Sequence, residues 1–160
     1  MRPLTKSRFK LALDCPTKLF YTGKPLYENQ EEADGFLEAL AEGGYQVGEL
    51  AKCYYPGGYN ITERGYEIPI EKTNKLLKQE NVIIYEAAIQ FENFFIRVDI
   101  LEKKGNNIKL IEVKSKSFKG GDSNSFLGRN GNISRGWNIY LQDVAFQGIC
   151  IFVSWLMFHF

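Results

Sequence analysis

Three short apolar runs in the middle of the chain predict neighbouring β-strands. They are "NVIIYEAAIQ" (81–90), "FFIRVDILEK" (94–103) and "NIKLIEVKS" (107–115), which are rich in Val, Ile and Phe and are separated by short polar turns. Because connections this short join antiparallel neighbours, we predict an antiparallel meander. Outside this region the apolar residues recur at helical spacing.

That helical spacing predicts helices on both sides of the meander. "LTKSRFKLALDCP" opens with Thr5, a residue type that caps helices, and Pro16 breaks or restarts this first helix. We predict a second helix that resumes after a Gly-Gly break in "GGYQVGELAKCYYPGG" (43–58), a short amphipathic one over 70–80 and a last one from 137. The order of elements predicts an α/β or α+β layered domain, and we favour an α/β fold in which helices flank a mixed sheet containing the meander.

The turn between the second and third strands predicts which side chains face each other. Gly105-Asn106 suits a type II′ turn, which favours Gly at the first of its two central positions. Such a turn pairs Lys104 with Asn107. The same register gives one uniformly apolar face, which we expect to cover the core. That face pairs Val98 with Val113 and Ile100 with Ile111, whereas the other face pairs Asp99 with Glu112 and Arg97 with Lys114.

The predicted pairing of Asp99 with Glu112 puts two acidic side chains about 5 Å apart at their Cβ atoms. Like charges this close are unfavourable unless something compensates, and a divalent cation such as Mg²⁺, which takes oxygen ligands, is the natural compensation. Lys114 points to the same face as Glu112 and can orient a water molecule or stabilise charge on a phosphate. The alternative is an ordinary surface network in which Asp99 pairs with Arg97 or Lys114.

Composition and charge narrow the class of protein only a little. The 160 residues, of which 44% are hydrophobic and 24% charged, suit one soluble globular domain. A net charge of +1 excludes a chain-wide basic signal for nucleic acid, so such a role would rest on a local patch. The three cysteines form no CxxC pair, which indicates neither a disulfide framework nor a zinc site and favours a reducing cytoplasm.

The apolar run "GICIFVSWLMFHF" (148–160) ends the sequence. It is shorter than the ~20 residues of a membrane span, so we expect no membrane partner. We expect a core helix that lacks its covering partner, in a chain that is truncated or is one domain of a longer protein. An ordinary buried terminal helix is the main alternative, and a tail anchor is the lesser one.

The hairpin resembles the PD-(D/E)xK nuclease superfamily, whose pattern is an acid on one strand, a hairpin, and then Glu-x-Lys between apolar residues. Here it stands as "RVDIL" followed by "LIEVKS". "LTKSRFKLALDCPTKLFYTGKP" and "YLQDVAFQ" look like the RecB-like branch, which includes the exonucleases of CRISPR adaptation and bacterial proteins whose RecB-like domain leads a longer chain. The resemblance spans nearly the whole chain and implies a restriction-endonuclease-like core in a single domain, 1–160.

The resemblance also implies a metal-dependent nuclease that hydrolyses phosphodiester bonds of DNA with Mg²⁺ or Mn²⁺. Asp99 and Glu112 would be metal ligands together with the carbonyl of Val113, and Lys114 would be the catalytic lysine. The family has a further metal-binding residue, often His, on an early helix after a glycine. The matching position is Glu49, for which a solvated helix residue is the alternative.

Three more positions follow from the resemblance. The family places a Gln, then an aromatic four residues later, on the helix after the hairpin; Gln142 with Phe146 fits, and Gln147 is the preferred competing choice. Glu86, in an apolar strand, would contact the site or lie on a half-exposed face. Cys15 matches an iron–sulfur ligand of some relatives, but a [4Fe–4S] cluster needs about four thiolates. Since no cysteine group follows, we expect no cluster in this chain.

The Gly/Ser/Asn-rich segment 118–137 predicts a flexible loop. It carries Lys119, Arg129 and Arg135, which suit phosphate contacts, and Trp137, which suits stacking on bases. A surface insertion is the alternative. The competing function for the whole chain is a nucleic-acid-binding or protein-interaction module on a nuclease-like fold that does not cut.

Overall fold

The computed structural model of the protein describes residues 2–27, 35–116, 126–128 and 130–159, except the side chains at 35–40 and 155–159. Over these residues the fold is α/β, with a mixed, open five-stranded sheet flanked by helices, as the sequence predicts. The elements in chain order are β1 (Leu4–Thr5), α1 (Lys6–Asp14), α2 (Pro16–Tyr21), α3 (Gly35–Cys53), β2 (Tyr59–Asn60), α4 (Glu67–Leu76), β3 (Asn81–Phe91), β4 (Phe94–Lys104), β5 (Asn107–Ile111) and α5 (Arg135–His159).

Strand β4 is the centre of the sheet and has two different neighbours along one edge. β3 pairs with it antiparallel along its length on the other edge, and the short β2 extends the sheet beyond β3. On the divided edge β1 pairs parallel with residues 94–95, and β5 pairs antiparallel with residues 100–104. Within the described chain the stretch 96–99 therefore has no strand partner on that edge.

The predicted hairpin register is confirmed along β5. Lys104 pairs with Asn107, and Ile100 pairs with Ile111. Gly105 has a φ of 56°, whereas Asn106 does not have a positive φ, as a type II′ turn requires. The two-residue turn therefore sets the strand pairing that the sequence predicts.

The register does not continue past Ile111, so the predicted pairs of Val98 with Val113 and of Asp99 with Glu112 are wrong as strand pairs. β5 ends at Ile111, and the N–H of Val113 donates instead to Oδ2 of Asp99 at 2.6 Å. Because a side-chain carboxylate takes this amide, the chain leaves the sheet beside the unpaired stretch of β4.

In β3 and β4 the alternation of buried and exposed residues changes at one position. At this position Glu86 lies opposite Asp99. Glu86 has a φ of 56°, and its pair with Asp99 is missing from an otherwise continuous ladder. Ile100 is buried outside the core cluster and lines a pocket with Asp99, so the prediction that Ile100 shares a core face with Val98 is wrong. The cluster takes Val82, Ile84, Ala87 and Ile89 from β3, and Ile96, Val98 and Leu101 from β4.

Helices α1 and α5 pack together beside the sheet. The Thr5 side chain caps α1 by accepting the Arg8 N–H at 3.3 Å, as its position predicts. Phe9 of α1 stacks on Phe146 of α5 with ring centroids 4.6 Å apart, and Phe146 belongs to the core. Since α1 follows directly from β1, this packing fixes α1 beside the gap in the sheet edge. Among the described residues no helix has the length and apolar character to span a bilayer.

Helix α3 runs unbroken through Gly43 and Gly44, so the predicted Gly-Gly break is wrong. A glycine costs a helix about 1 kcal/mol but leaves its backbone hydrogen bonds intact. Gly44 and Gly48 lie one turn apart and line the same pocket as Asp99, with open space where a Cβ would point. The glycines therefore leave this side of α3 bare.

Thr73 attaches α4 to the sheet. Its buried hydroxyl donates to the Pro69 carbonyl at 2.9 Å and accepts the Ala88 N–H of β3 at 2.9 Å. Both backbone groups depend on this one side chain for those hydrogen bonds.

We expect Thr73→Val to destabilise the protein by about 2 kcal/mol, since a buried amide without a partner costs about 1–3 kcal/mol. Thr73→Ser keeps the hydroxyl and should lose less. Urea denaturation of the three proteins measures the difference. Equal losses for Val and Ser would show that packing, rather than the hydrogen bonds, is what Thr73 contributes.

Candidate active site

Asp99 lies in the middle of β4, at the unpaired stretch between β1 and β5. Burial raises the pKa of Asp99; the hydrogen bond from the Val113 N–H opposes this rise, and the neighbouring Glu112 carboxylate adds to it. The residue is therefore an acid whose ionised form is poorly solvated and lies near a second negative charge. Such a carboxylate favours a nearby cation.

Glu112 is the first residue after β5, and its side chain is 4% exposed. Its Oε1 accepts from Lys6 Nζ at 2.8 Å and from Lys114 Nζ, and its Oε2 accepts from Gln147 Nε2 at 2.8 Å. Burial alone would raise the pKa of Glu112, but these three hydrogen bonds hold it below its ordinary value. Glu112 is thus an ionised carboxylate that ties the end of the hairpin to α1 and α5.

Asp143 is a second buried carboxylate, one helical turn before Gln147 on α5. Its side chain is fully buried, with Lys10 Nζ at 2.7 Å and Lys114 Nζ at 3.7 Å from its Oδ2. Within the described chain neither of its carboxylate oxygens has a hydrogen bond of good geometry. A buried charge in that state is costly unless cations offset it, so the two ammonium groups are what allow Asp143 to remain here.

Lys114 lies between these carboxylates. Burial would lower the pKa of Lys114, but its hydrogen bond to Glu112 and the negative charges of Glu112, Asp99 and Asp143 raise it. The side chain is therefore protonated at neutral pH. A fixed ammonium group can donate to an oxyanion or hold a water molecule, but it is not poised to act as a neutral base.

A pocket of about 420 Å³ opens beside Asp99. Glu86 of β3 and Glu49 of α3 line it as well, so three acidic side chains from three elements border one space. Burial raises the pKa of Glu86, and the charge of Asp99 raises it further. Glu49 forms an ion pair with Lys52 at 2.6 Å, one turn along α3.

The oxygen donors around Asp99 suit Mg²⁺ or Mn²⁺. Among the described residues no three His, Cys, Asp or Glu side chains form a group that could hold a metal ion by themselves. Mg²⁺ needs only one or two carboxylates when phosphate and water complete its ligands. Asp99 therefore has oxygen neighbours of the kind that such a cation uses, whereas both carboxylate oxygens of Glu112 already accept hydrogen bonds.

Aromatic rings and a lysine continue the site toward the start of α5. The ring of Trp137 lies 4.3 Å from that of Phe126 and 5.8 Å from that of Tyr140. Lys116 Nζ lies 4.5 Å from the centroid of Trp137 and 4.8 Å from that of Tyr140. Lys116, two residues after Lys114, therefore lies against a cluster of aromatic rings that already binds its ammonium group.

The residues predicted from sequence fall into three groups. The structure brings together Asp99, Glu112, Val113, Lys114 and Gln147. Glu49 lines the pocket beside Asp99, and Arg135 and Trp137 lie in the first turn of α5. Lys119 and Arg129 lie outside the described residues. Of the competing residues, Phe146 is in the core, and the amide that donates to Glu112 is that of Gln147 rather than Gln142.

Sequence reasoning missed the site roles of Lys6, Lys10 and Asp143. The spacing of Lys6 and Lys10, four residues apart after the Thr cap, puts both on one face of α1. Asp143 is an acid in a mostly apolar helical run, one turn from Gln147. These patterns are visible in the sequence, but they do not show that α1 packs against α5.

No protein-family model, curated protein or solved structure matches this chain.

Burial raises the pKa of the Asp99 carboxyl group in the folded protein. The protonated carboxyl group therefore contributes its full stability below the pKa that Asp99 has in the unfolded chain, about pH 4. This contribution is lost as the pH rises through the pKa of Asp99 in the folded protein. We expect Asp99→Asn to be more stable than the wild type at pH 7 in EDTA, with the advantage vanishing in acid. Asn still accepts the Val113 N–H. Urea denaturation across this pH range tests the sign.

The matched control is Glu102→Gln, on the same strand. The hydrogen bond from Lys104 lowers the pKa of Glu102, so removing that charge should give no gain at pH 7. Addition of Mn²⁺ should stabilise the wild type and leave Asp99→Asn almost unchanged if Asp99 binds the cation. A variant less stable than the wild type at pH 7 would contradict the assigned cost of this buried charge.

Lys10→Met should destabilise the protein by about 2 kcal/mol, because it leaves the buried Asp143 with only the more distant Lys114; this is less than for a fully buried pair, since Lys10 is partly exposed. Lys6→Met is the control, because Glu112 keeps two other donors. The double variant Lys10→Met/Asp143→Leu should lose less than the two single losses added. Strict additivity would mean that the ion pair contributes nothing.

Proposed function

We propose that this protein is a metal-dependent nuclease that hydrolyses phosphodiester bonds of DNA, built on a restriction-endonuclease-like core of the PD-(D/E)xK type. The observation that carries the proposal is the Lys114 ammonium group fixed on Glu112, with Asp99 beside it across the gap in the sheet edge. The RecB-like resemblance of the sequence agrees with this assignment. The finding that α5 adds Gln147 to the same carboxylate supports it further.

Asp99 and Glu112 would hold Mg²⁺ or Mn²⁺, with the Val113 carbonyl and a substrate phosphate as further oxygen ligands. When bound, such an ion polarises the phosphoryl oxygens and activates the attacking water. Lys114 donates hydrogen bonds to the negative charge that develops on the phosphate. Gln147 orients Glu112, and Lys6 keeps that carboxylate ionised.

Lys52 and Arg97 line the same pocket as the acids. In the proposed nuclease these two basic side chains would belong to the site together with the acids. Arg97 is fixed because its guanidinium donates to the carbonyls of Ile61 at 2.7 Å and Glu63 at 2.9 Å. Glu49 is the further acid of this group, held by Lys52. A DNA strand would run past the aromatic cluster at Trp137, where Arg135 and Lys116 supply charge for its phosphates.

One observation favours a second candidate, a nucleic-acid-binding module that does not cut. Glu112 accepts three hydrogen bonds from side chains of the protein, so its carboxylate is satisfied without a cation. Such a module would bind DNA in a salt-dependent way and release no product when Mn²⁺ is added.

We expect Lys114→Ala to reduce Mn²⁺-dependent cleavage of DNA by at least about 100-fold, since removal of a donor to the developing charge costs this much in comparable sites. Lys109→Ala, which removes one exposed lysine from β5, is the control and should cleave normally. Product release from single- and double-stranded DNA measures the rate. Full activity of Lys114→Ala would exclude this mechanism, and a wild type that binds DNA without cutting would favour the binding module.

A further inference from the structure

A second pocket, of about 520 Å³, lies on the far side of α1 from the candidate active site. Lys6 and Lys10 of α1 face Glu112 and Asp143, whereas Arg8, midway between them, lines this other pocket. Positions two apart lie on different faces of a helix. The pocket is therefore a separate surface, and none of the acids described above borders it.

Three cationic side chains from three segments line the pocket: Arg2 before β1, Arg8 on α1 and Lys24 after α2. Among the described residues, its lining includes no acidic side chain. Within the described chain none of the three forms an ion pair with a carboxylate, and Arg8 Nε is buried without a hydrogen-bond partner. Three positive charges that share a concave space without an internal anion indicate an anionic ligand.

The position of Arg2 depends on Gly23. Gly23 has a φ of 77°, which favours glycine, and a Cβ there would lie only 2.4 Å from Arg2 Nη1. The guanidinium group therefore lies directly against the turn after α2. This close approach holds one of the three charges at the pocket wall.

Exposed aromatic rings continue from the pocket along α2. Phe20 is 63% exposed and Tyr27 is 54% exposed. Tyr21 lies between them, with ring centroids 5.0 Å from Phe20 and 4.4 Å from Tyr27, and Lys24 Nζ lies 3.2 Å from the centroid of Phe20. Exposed rings next to cations that have no carboxylate partner in the described chain are the two components of a surface that binds bases and phosphates together.

We infer that this pocket and its aromatic rings form a binding site for single-stranded nucleic acid. Phosphates occupy the space lined by Arg2, Arg8 and Lys24, and unpaired bases stack on Phe20 and its neighbours. A duplex keeps its bases paired and stacked inside, so it cannot offer them to these rings. An acidic peptide would use the cations but not the rings, and a bilayer would present a flat surface to a concave pocket. Binding at this pocket does not require the proposed hydrolysis. Only the further step, that the bound single strand is the strand that is cut, rests on the proposed function.

The experiment measures fluorescence anisotropy of labelled oligo-dT of about 15 nucleotides, a length near the upper site size of single-strand binders, with the full chain in EDTA. Lys114→Ala serves as the background, so that cleavage plays no part. Phe20→Leu should weaken binding about tenfold, because a stacked base contributes about 1–3 kcal/mol, whereas Phe20→Trp should bind at least as well as the parent. Arg2→Ala/Arg8→Ala should weaken binding and lower its salt dependence.

Tyr54→Ala and Arg64→Ala, which remove exposed residues elsewhere, are matched controls and should bind normally. Each variant is melted to verify folding. The inference is overturned if Phe20→Leu binds like the parent, if duplex binds as tightly as the single strand, or if only anionic vesicles or polyglutamate bind. Absence of cleavage by the wild type with Mn²⁺ would remove the proposed hydrolysis and leave this site standing.

Discussion

The hydrogen bond from the Val113 N–H to Asp99 is the interaction on which the candidate site depends. It ends the pairing of β5 with β4 and takes the chain out of the sheet at the stretch that β1 also leaves unpaired. Just past this point, Glu112 accepts a hydrogen bond from Gln147 of α5, and Lys114 lies 3.7 Å from Asp143 of the same helix. One buried carboxylate thus binds the amide of Val113, the residue between Glu112 and Lys114. The side chains of Glu112 and Lys114 lie in the space between sheet and helices.

A second constraint is the balance of charge in that space. Glu112 and Asp143 are buried acids on different elements, whereas Lys6 and Lys10 come from α1 and Lys114 from the same segment as Glu112. Because each acid is costly without its cations, the ion pairs favour one arrangement of hairpin, α1 and α5. The same arrangement leaves Asp99 outside the pairs, with a raised pKa and an open pocket in front of it. The paired charges position the site, and the poorly compensated one is where we propose that a cation binds.

Much of the fold follows from local sequence. Short polar turns between β-rich runs specify the meander, and Gly105-Asn106 specifies the register of the hairpin. The predictions that are wrong also concern local features of the chain. Gly43 and Gly44 favour a helix break, but the helix continues because its hydrogen bonds tolerate glycine and the bare side of α3 opens onto the pocket. The positive φ at Glu86 is not readable from the sequence, and the alternation of core residues shifts there in both β3 and β4.

By itself, the sequence determined the α/β class, the meander, the turn and the choice of Asp99, Glu112 and Lys114 as chemically notable residues, because these depend on near neighbours along the chain. That Lys6 also neutralises Glu112, and that Asp143 belongs to the same group, depends on how the elements pack together. The contacts of Lys6 and Gln147 with Glu112, and of Lys114 with Asp143, join residues more than 25 positions apart, and no periodic pattern encodes them. Where charges are buried, their partners are set by how helices pack on the sheet, and that is a property of the whole fold.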